Sequence, residues 1–254
     1  MASLTLPTTD LDAYLRALAR RRVEEHEESL ARARQTENPV SSEEAAARNK
    51  RVREATADEW TWLRNHTETY NPHWIEEGRP SPYEPFPDKP YFPVLFEYLH
   101  LPGRVKPIKK SRDMMVTWAI MGYFTLEAMK VPEREIVVQT MKDDKVIQCI
   151  DYAKCLYRRQ PDWLREAFPL AKPIEKMAAK EFSLANGSVI AGIPGGADQL
   201  RSYHPWGYFN DETAFQPEAG LCYDEALSAC QKIVLNSTAA DSWFFDWMDD
   251  VEIA

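Results

Sequence analysis

The 254-residue sequence has no run of about eighteen apolar residues, the length that a membrane-spanning helix requires. Its start, Met-Ala-Ser-Leu-Thr-Leu-Pro, lacks the basic flank and apolar centre of a secretion signal. The sequence also has fewer basic than acidic residues, with 31 lysines and arginines against 40 aspartates and glutamates, so its formal net charge is -9. We therefore expect an intracellular protein without a membrane span. The charge argues against a surface that grips a nucleic acid duplex all over, but it allows local contact through one loop.

Cysteine and histidine are scarce, and neither has the spacing of a metal-binding cluster. The four cysteines, at positions 149, 155, 222 and 230, lie too far apart for C-x-x-C zinc pairs and within apolar, helix-like stretches. We therefore expect buried free thiols. The five histidines are scattered, so they indicate neither a zinc site nor a Ser-His-Asp triad.

Glycine is scarce too, and no copy of the phosphate-loop pattern G-x-x-x-x-G-K-[ST] occurs. One glycine-free segment has part of the same chemistry: Lys109, Lys110, Ser111, Arg112, Asp113, Met114, Met115, Val116, Thr117 and Trp118. If Thr117 supplies the magnesium-binding hydroxyl, Val116 replaces the lysine of the pattern and Met115 its second glycine. Three cations upstream of Thr117 and the start of a helix still attract phosphate. We interpret the segment as a candidate nucleotide-binding loop.

Two consecutive acids, Asp211 and Glu212, follow residues 207–210, which we predict to form a short strand. Magnesium-dependent hydrolysis of a nucleotide uses one carboxylate to hold the metal ion and a second to polarise the attacking water. The simpler alternative is that the two acids cap the following turn, because acids are common at helix starts.

The chain divides by composition into three predicted parts, residues 1–71, 72–93 and 94–254. The first contains two helical patterns, 11–35 and 45–66, which predict an αα-hairpin. The second is rich in proline and aromatic residues and has no periodicity, so we predict an irregular connection. The third alternates short apolar strands with helices, which is typical of a mainly parallel α/β sheet flanked by helices.

Several predicted strands of the third part end in polar residues. The predicted strands are 105–109, 136–140, 207–210 and 232–239, and the predicted helices are 117–129, 143–157 and 218–230. Asn186-Gly187 lies between short apolar runs and predicts an antiparallel hairpin. Four polar segments fall at strand C-termini, where such sheets bind ligands: the loop that ends at Thr117, Gln139-Thr140, Asp211-Glu212 and Asn236-Ser237-Thr238.

This order of motifs resembles the ATPase domain of the large terminase subunit, the DNA-packaging motor of tailed phages, over about residues 85–254. That family commonly has a deviant phosphate loop that begins with K-S-R and ends with a hydroxyl residue, as residues 110–117 do. It also has an Asn-Gly-Ser hairpin, a D-x-L-R-x-[YF] loop before the acidic strand and a small hydroxyl motif after it. Residues 186–188, 198–203 and 237–239 match these motifs.

The resemblance implies a P-loop NTPase fold of the RecA/ASCE-like type, with ATP and Mg²⁺ as cofactors. Lys110 and Arg112 would contact the β- and γ-phosphates. Thr117 and Asp211 would hold Mg²⁺, and Glu212 would activate water.

Other roles follow from the same resemblance. Arg201 would be an arginine finger that acts on a neighbouring subunit, or alternatively a surface arginine paired with Asp198. Ser237 and Thr238 would couple hydrolysis to movement, or be ordinary strand-end hydroxyls. The aromatic and proline-rich residues 85–92 stand where a base-stacking segment would be expected.

The implied function is ATP hydrolysis that powers translocation of double-stranded viral DNA into a procapsid. The implied partners are double-stranded DNA, the portal protein and the small terminase subunit. We expect a homo-oligomeric ring in the assembled motor, with a monomer as the alternative for the isolated chain. The location would be the host cytoplasm, transiently docked on the procapsid. Large subunits of this family continue into a nuclease domain, but no second α/β pattern follows here, so we expect no DNA cleavage.

Two alternatives of other classes remain at this point. One is a helicase-like translocase, for which basic loops with aromatic residues would be expected. The other is a non-catalytic adaptor whose phosphate loop is degenerate at Met115 and Val116.

Overall fold

The computed structural model describes residues 42–252, and the residues from Val52 onward form one compact unit. The predicted helix 11–35 lies outside the described residues. The helices are α1 Ser42–Ala55, α2 Glu59–His66, α3 Tyr91–His100, α4 Val116–Lys130, α5 Asp143–Arg159, α6 Asp162–Ala167, α7 Ala219–Ala229 and α8 Trp243–Glu252. The strands are β1 Glu68–Tyr70, β2 Tyr83–Pro85, β3 Val105–Lys110, β4 Glu135–Gln139, β5 Glu181–Ser183, β6 Val189–Ile193, β7 Gly207–Asp211 and β8 Lys232–Thr238.

Six strands form one sheet in the order β3-β8-β7-β4-β6-β5. All neighbouring pairs are parallel except β5 and β6, which form the antiparallel hairpin predicted from Asn186-Gly187. Because β3, β8, β7 and β4 are parallel, their carboxyl ends meet at one edge. The register places Lys110 beside Thr238, Asp211 beside Asn236, and Gln139 beside Asn210. The predicted mainly parallel α/β sheet is confirmed.

Helices cover both faces of the sheet, because successive residues of a strand point to opposite sides. Ile136 and Val138 of β4 belong to an apolar cluster with residues of α4 and α5. Val137 belongs to a second cluster with residues of α7 and α8. Helix α4 is buried around nearly its whole circumference, which is typical of a central helix. Its start is therefore held rigidly beside the end of β3.

The predicted helix over residues 45–66 is wrong in one respect, since it is two helices. The hydroxyl of Thr56 donates to the Val52 carbonyl (2.8 Å), and Asp58 caps the next helix by accepting from the Thr61 amide (2.8 Å). Such side-chain bonds compete with continuation of the helix. The break comes between Ala55 and Glu59.

The predicted irregular connection over residues 72–93 also contains regular structure. Strands β1 and β2 pair in antiparallel register, and the rings of Tyr70 and Tyr83 lie across from each other with centroids 5.8 Å apart. Helix α3 begins at Tyr91 rather than after the prolines. Strands of three residues are too short to show a period in sequence, and proline is accepted at a helix start.

The cysteines are free, as predicted, and all except the half-buried Cys155 are buried. Among residues 42–252, no helix has both the length and the apolar character needed to cross a membrane.

Candidate functional site

The candidate phosphate loop connects the end of β3 at Lys110 to the start of α4 at Val116. Two of its residues have left-handed backbone angles, Asp113 (φ 60°) and Met115 (φ 51°). Aspartate tolerates this region, but methionine adopts it rarely. Met115 therefore has the backbone conformation that glycine normally supplies at such a turn.

Thr117, in the first turn of α4, is connected directly to the acidic strand β7. Its hydroxyl donates a hydrogen bond to Oδ2 of Asp211 (2.9 Å). The side-chain amide of Asn236, on β8, donates to Oδ1 of the same carboxylate (2.5 Å). Burial raises the pKa of Asp211, and the hydrogen bonds from Asn236 and Thr117 and the charge of Lys110 oppose that rise. The carboxylate is thus fixed in place before any ligand binds.

Glu212, the second acid, is exposed and has left-handed backbone angles (φ 57°). The turn around it is held by buried side chains of its neighbours. The amide of Gln216 donates to the Asp211 carbonyl (2.9 Å), and the Thr213 hydroxyl donates to the Asn210 carbonyl (3.0 Å). These bonds point the two acids in different directions, so that Asp211 lies against Thr117 while Glu212 faces solvent.

A cleft of about 590 Å³ opens in front of these groups, a volume in the usual range for small-molecule sites. Four cations line it: Lys110, Arg112, Lys142 and Lys145. Its other lining residues are Asp113, Thr117, Met141, Gln148, Cys149, Tyr152, Asp211, Glu212, Phe215 and Thr238. The cations lie beside the hydroxyls of Thr117 and Thr238 and the acids Asp211 and Glu212, an arrangement suited to a polyphosphate with a bound divalent cation.

The cleft gathers only part of the predicted phosphate segment: Lys110, Arg112, Asp113 and Thr117. The residues of that segment that do not line it are Lys109, Ser111, Met114, Met115, Val116 and Trp118. Lys109 points elsewhere, with Nζ 4.8 Å from the ring centroid of Phe245. Val116 and Trp118 are buried. We expect the side chains of Val116 and Trp118 to hold the loop in position by packing in the core.

Lys142 and Lys145, near the start of α5, were missed by sequence reasoning. The sequence did place the polar end of β4, Gln139-Thr140, at the binding edge, and the two lysines follow it within six residues. The Thr140 hydroxyl donates to the Lys142 carbonyl (2.8 Å) and so fixes the turn that leads into α5.

The predicted coupling residues have different environments. Thr238 lines the cleft, whereas Ser237 is fully buried and its hydroxyl accepts from the Ala214 amide (3.2 Å). Ser237 thus connects β8 to the turn that follows Glu212. Their neighbour Asn236, which bonds Asp211, was placed at the binding edge from sequence but was given no role of its own.

Arg201 is exposed on the 3₁₀ turn Ala197–Ser202 and does not line the cleft of its own chain. Its guanidinium pairs with Asp198 (2.8 Å) and with Glu225 of α7 (2.8 Å). The pairing with Asp198 is the alternative foreseen from sequence.

The expectation that residues 85–92 stack on a base is wrong for the buried phenylalanines Phe86 and Phe92. They pack against Trp60, with ring centroids 6.4 and 5.8 Å away. Their rings are therefore part of the core.

No protein-family model and no curated protein sequence matches this chain. The structure of the HK97 bacteriophage large terminase is similar, with a TM-score of 0.58 and 12% sequence identity, over 78% of this chain and 41% of that one. The large terminase ATPase domain of Thermus phage P74-26 and a mutant of it have TM-scores of 0.40 and 0.42 at 11% identity. They match over 64% of this chain and 69% and 70% of theirs. This chain spans less than half of the HK97 terminase chain. It has the P-loop NTPase fold of a phage large terminase.

Proposed function

We propose that this chain is a magnesium-dependent ATPase. The observation that carries the proposal is the hydrogen bond between Thr117 and Asp211 at the base of a cleft lined by cations (2.9 Å). It joins the end of the candidate phosphate loop to the acidic strand, two segments more than ninety residues apart in sequence. Glu212 lines the same cleft.

The donor set suits Mg²⁺, which takes one or two protein oxygens and completes its shell with waters and phosphate oxygens. Thr117 and Asp211 would hold the ion, which would neutralise charge on the β- and γ-phosphates. Lys110 and Arg112 would bind the phosphates from the front of the loop, and the start of α4 would contribute its positive end.

Glu212 is proposed to orient the attacking water and accept its proton. The water oxygen forms a bond to the γ-phosphorus while the bond to the bridging oxygen of ADP breaks, releasing ADP and phosphate. The exposed position of Glu212 suits this role, because its carboxylate reaches the cleft and is not committed to the Thr117 hydrogen bond. Ser237 and Thr238, the last two residues of β8, would couple loss of the γ-phosphate to movement.

We further propose that hydrolysis powers translocation of double-stranded DNA into a viral procapsid. The fold shared with the HK97 large terminase and the K-S-R loop support this role. The proposed partners are the portal protein, the small terminase subunit and further copies of this chain in a ring. The proposed location is the host cytoplasm, with transient docking on the procapsid.

The first prediction concerns the acid and the two lysines. Glu212→Gln should lower kcat for ATP about 100-fold or more while nucleotide binding persists, because the variant loses the general base but keeps the phosphate contacts. Lys110→Ala should weaken binding of Mg²⁺-ATP. Lys109→Ala is the matched comparison, since this neighbouring side chain lies over Phe245 and should leave binding unchanged. Phosphate release and calorimetric titration measure the two effects.

The outcomes separate the remaining classes. Turnover absent at high protein concentration, together with no nucleotide binding, would overturn the proposal and favour a non-catalytic adaptor. Turnover stimulated by single-stranded DNA but unaffected by duplex DNA would favour a helicase-like translocase.

A further inference from the structure

A second pocket, of about 240 Å³, adjoins the cation-lined cleft. Its lining residues are Tyr70, Tyr83, Trp118, Gln148, Asp151, Tyr152 and Cys155. Gln148 and Tyr152 line both cavities and so form their common wall. The volume is below the range for a complete small-molecule site, which fits a subsite for one part of a larger ligand.

The pocket has rigid aromatic walls. Trp118 follows Thr117 directly in α4, and its ring stacks on Tyr152 of α5 with centroids 4.0 Å apart and planes 20° from parallel. On the other side stand Tyr70 and Tyr83 of the β1-β2 hairpin, which are 47% and 38% exposed. These two tyrosines present aromatic surface that the core does not use.

The hairpin is fastened to α5, so its tyrosines have a defined position. Arg159 of α5 pairs with Glu68 of β1 (2.5 Å), and its guanidinium lies 4.2 Å from the ring centroid of Tyr83. The thiol of Cys155 adds a contact to the Glu68 carbonyl (3.8 Å). The pocket is therefore a built feature between three elements.

Charge divides the two cavities. Four cations line the cleft, whereas the pocket is lined by one charged residue, the acid Asp151, among the residues that the structure describes. An anionic group is disfavoured beside Asp151, and a flat ring with amino and ring-nitrogen groups is favoured. The amide nitrogen of Gln148 offers a donor and Asp151 an acceptor for the edge of such a ring, while Oε1 of Gln148 already accepts from Nζ of Lys145 (3.1 Å).

We propose that this pocket binds the purine base of the nucleotide whose phosphates occupy the cleft, with Tyr152 between the two parts. The inference rests on the proposed nucleotide site and adds the residues that recognise the base. Stacking on Tyr83 and Tyr152 supplies affinity, and purines offer these rings a larger face than pyrimidines.

The test compares Mg²⁺-ATP, Mg²⁺-GTP, Mg²⁺-CTP and Mg²⁺-tripolyphosphate, titrated into the full chain by calorimetry. Tyr83→Ala and Tyr152→Ala should each weaken ATP and GTP about tenfold, the size expected for loss of one stacking partner. Tyr83 does not line the cleft, so Tyr83→Ala should also leave tripolyphosphate unchanged. Ile75→Ala, in the same hairpin connection but 70% exposed and outside the pocket, is the matched control. Circular dichroism checks that each variant is folded, and Tyr83→Ala changes an exposed side chain with little risk to folding.

Each result decides a different point. If tripolyphosphate and ATP bind equally and neither tyrosine variant changes ATP affinity, the base subsite is refuted while the phosphate site stands. If CTP binds as tightly as ATP and GTP, selection of purines is refuted. If no triphosphate binds at all, the proposed nucleotide function fails, and the base subsite with it.

Discussion

At the scale of single residues, Lys232 is a buried amine at the end of the sheet opposite the cleft. It starts β8, and its Nζ donates to the Leu99 carbonyl near the end of α3. Nearby, Nζ of Lys106 donates to the carbonyls of Leu101 (2.8 Å) and Pro102 (3.1 Å). Cations are favourable at helix C-termini, but burial and the charge of Lys106 lower the pKa of Lys232 to about 8.

This pKa predicts how stability varies with pH. Above pH 8 the folded state loses the Lys232 proton while the unfolded chain keeps it up to its ordinary pKa of 10.5, so this residue makes stability rise with pH in that window. In Lys232→Met the contribution is absent. The free energy of unfolding of the variant, minus that of wild type, should therefore decrease between pH 8 and 10.5, by at most about 3 kcal/mol.

Urea unfolding at several pH values measures this difference. Lys130→Met, at an exposed position at the end of α4, is the control and should show no such trend. A difference between Lys232→Met and wild type that is constant with pH would contradict the prediction.

Some of the residues that line the cleft could be predicted from the sequence. Lys110, Thr117 and Asp211 were found because each occupies a fixed place relative to a strand end. Lys109 could not be separated from Lys110 by composition, and only the alternation of side chains along β3 turns it toward Phe245. The role of Asn236 was not predicted, because its partner, the Asp211 carboxylate, is brought close by the order of the strands in the sheet.

At the scale of elements, a chain of buried side chains connects β4, β7 and the loop after β6. Gln139 donates to the carbonyls of Pro194 (2.7 Å) and Gly196 (2.9 Å). The Tyr208 hydroxyl donates to Gln139 Oε1 (2.5 Å) and accepts from the amide of Asn210 (2.7 Å). These hydrogen bonds hold the loop that leads to Arg201 in a fixed position relative to β7, the strand that carries Asp211.

Tyr208→Phe should lower stability by about 1–3 kcal/mol, because the buried acceptor on Gln139 and donor on Asn210 lose their shared partner. For a chain of this size, the melting temperature should fall by about 2–4 °C for each kcal/mol. Tyr98→Phe, which removes a single half-buried hydrogen bond to the Pro107 carbonyl (3.0 Å), should cost less. Thermal unfolding measures both variants. If their melting temperatures fall equally, the buried hydrogen bonds of Tyr208 add no more to stability than the single bond of Tyr98.

Long elements with a clear period were predictable, and short ones were not. Strands β3, β4, β7 and β8 and helices α4, α5 and α7 lie within one or two residues of their predicted bounds. The β1-β2 pair was missed because three residues per strand give no period, and its stability comes from packing on α5. The base subsite depends on that packing, so it too was hidden from sequence.

At the scale of the whole molecule, the proposed arginine finger Arg201 requires a second copy of the chain. Within one chain it pairs with Asp198 and Glu225, outside the cleft, so its proposed role as an arginine finger requires a neighbouring copy. Both ion pairs are exposed at the arginine, and exposed pairs hold a side chain weakly. Breaking these ion pairs so that Arg201 can turn toward a neighbouring copy therefore costs little free energy.

A ring in which Arg201 acts on the adjacent subunit predicts that ATPase activity per chain rises with protein concentration. Arg201→Ala and Glu212→Gln should each be nearly inactive alone, yet a mixture of the two should regain activity. Mixed rings contain interfaces where an intact Arg201 faces an intact Glu212. Phosphate release across mixing ratios measures this. Failure of every mixture to recover activity, with both variants shown to oligomerise, would contradict action across the interface.

Met115 has a consequence for how relatives of this loop are recognised. Its left-handed angles give the turn the backbone conformation that glycine usually supplies, although no glycine stands there. A search pattern written in amino-acid letters would score the loop as defective, although the strain of holding methionine there costs only about 1–3 kcal/mol. Patterns written in backbone torsions would accept it. Phosphate loops without glycine could then be traced by the shape of the loop and by the lysine at its front.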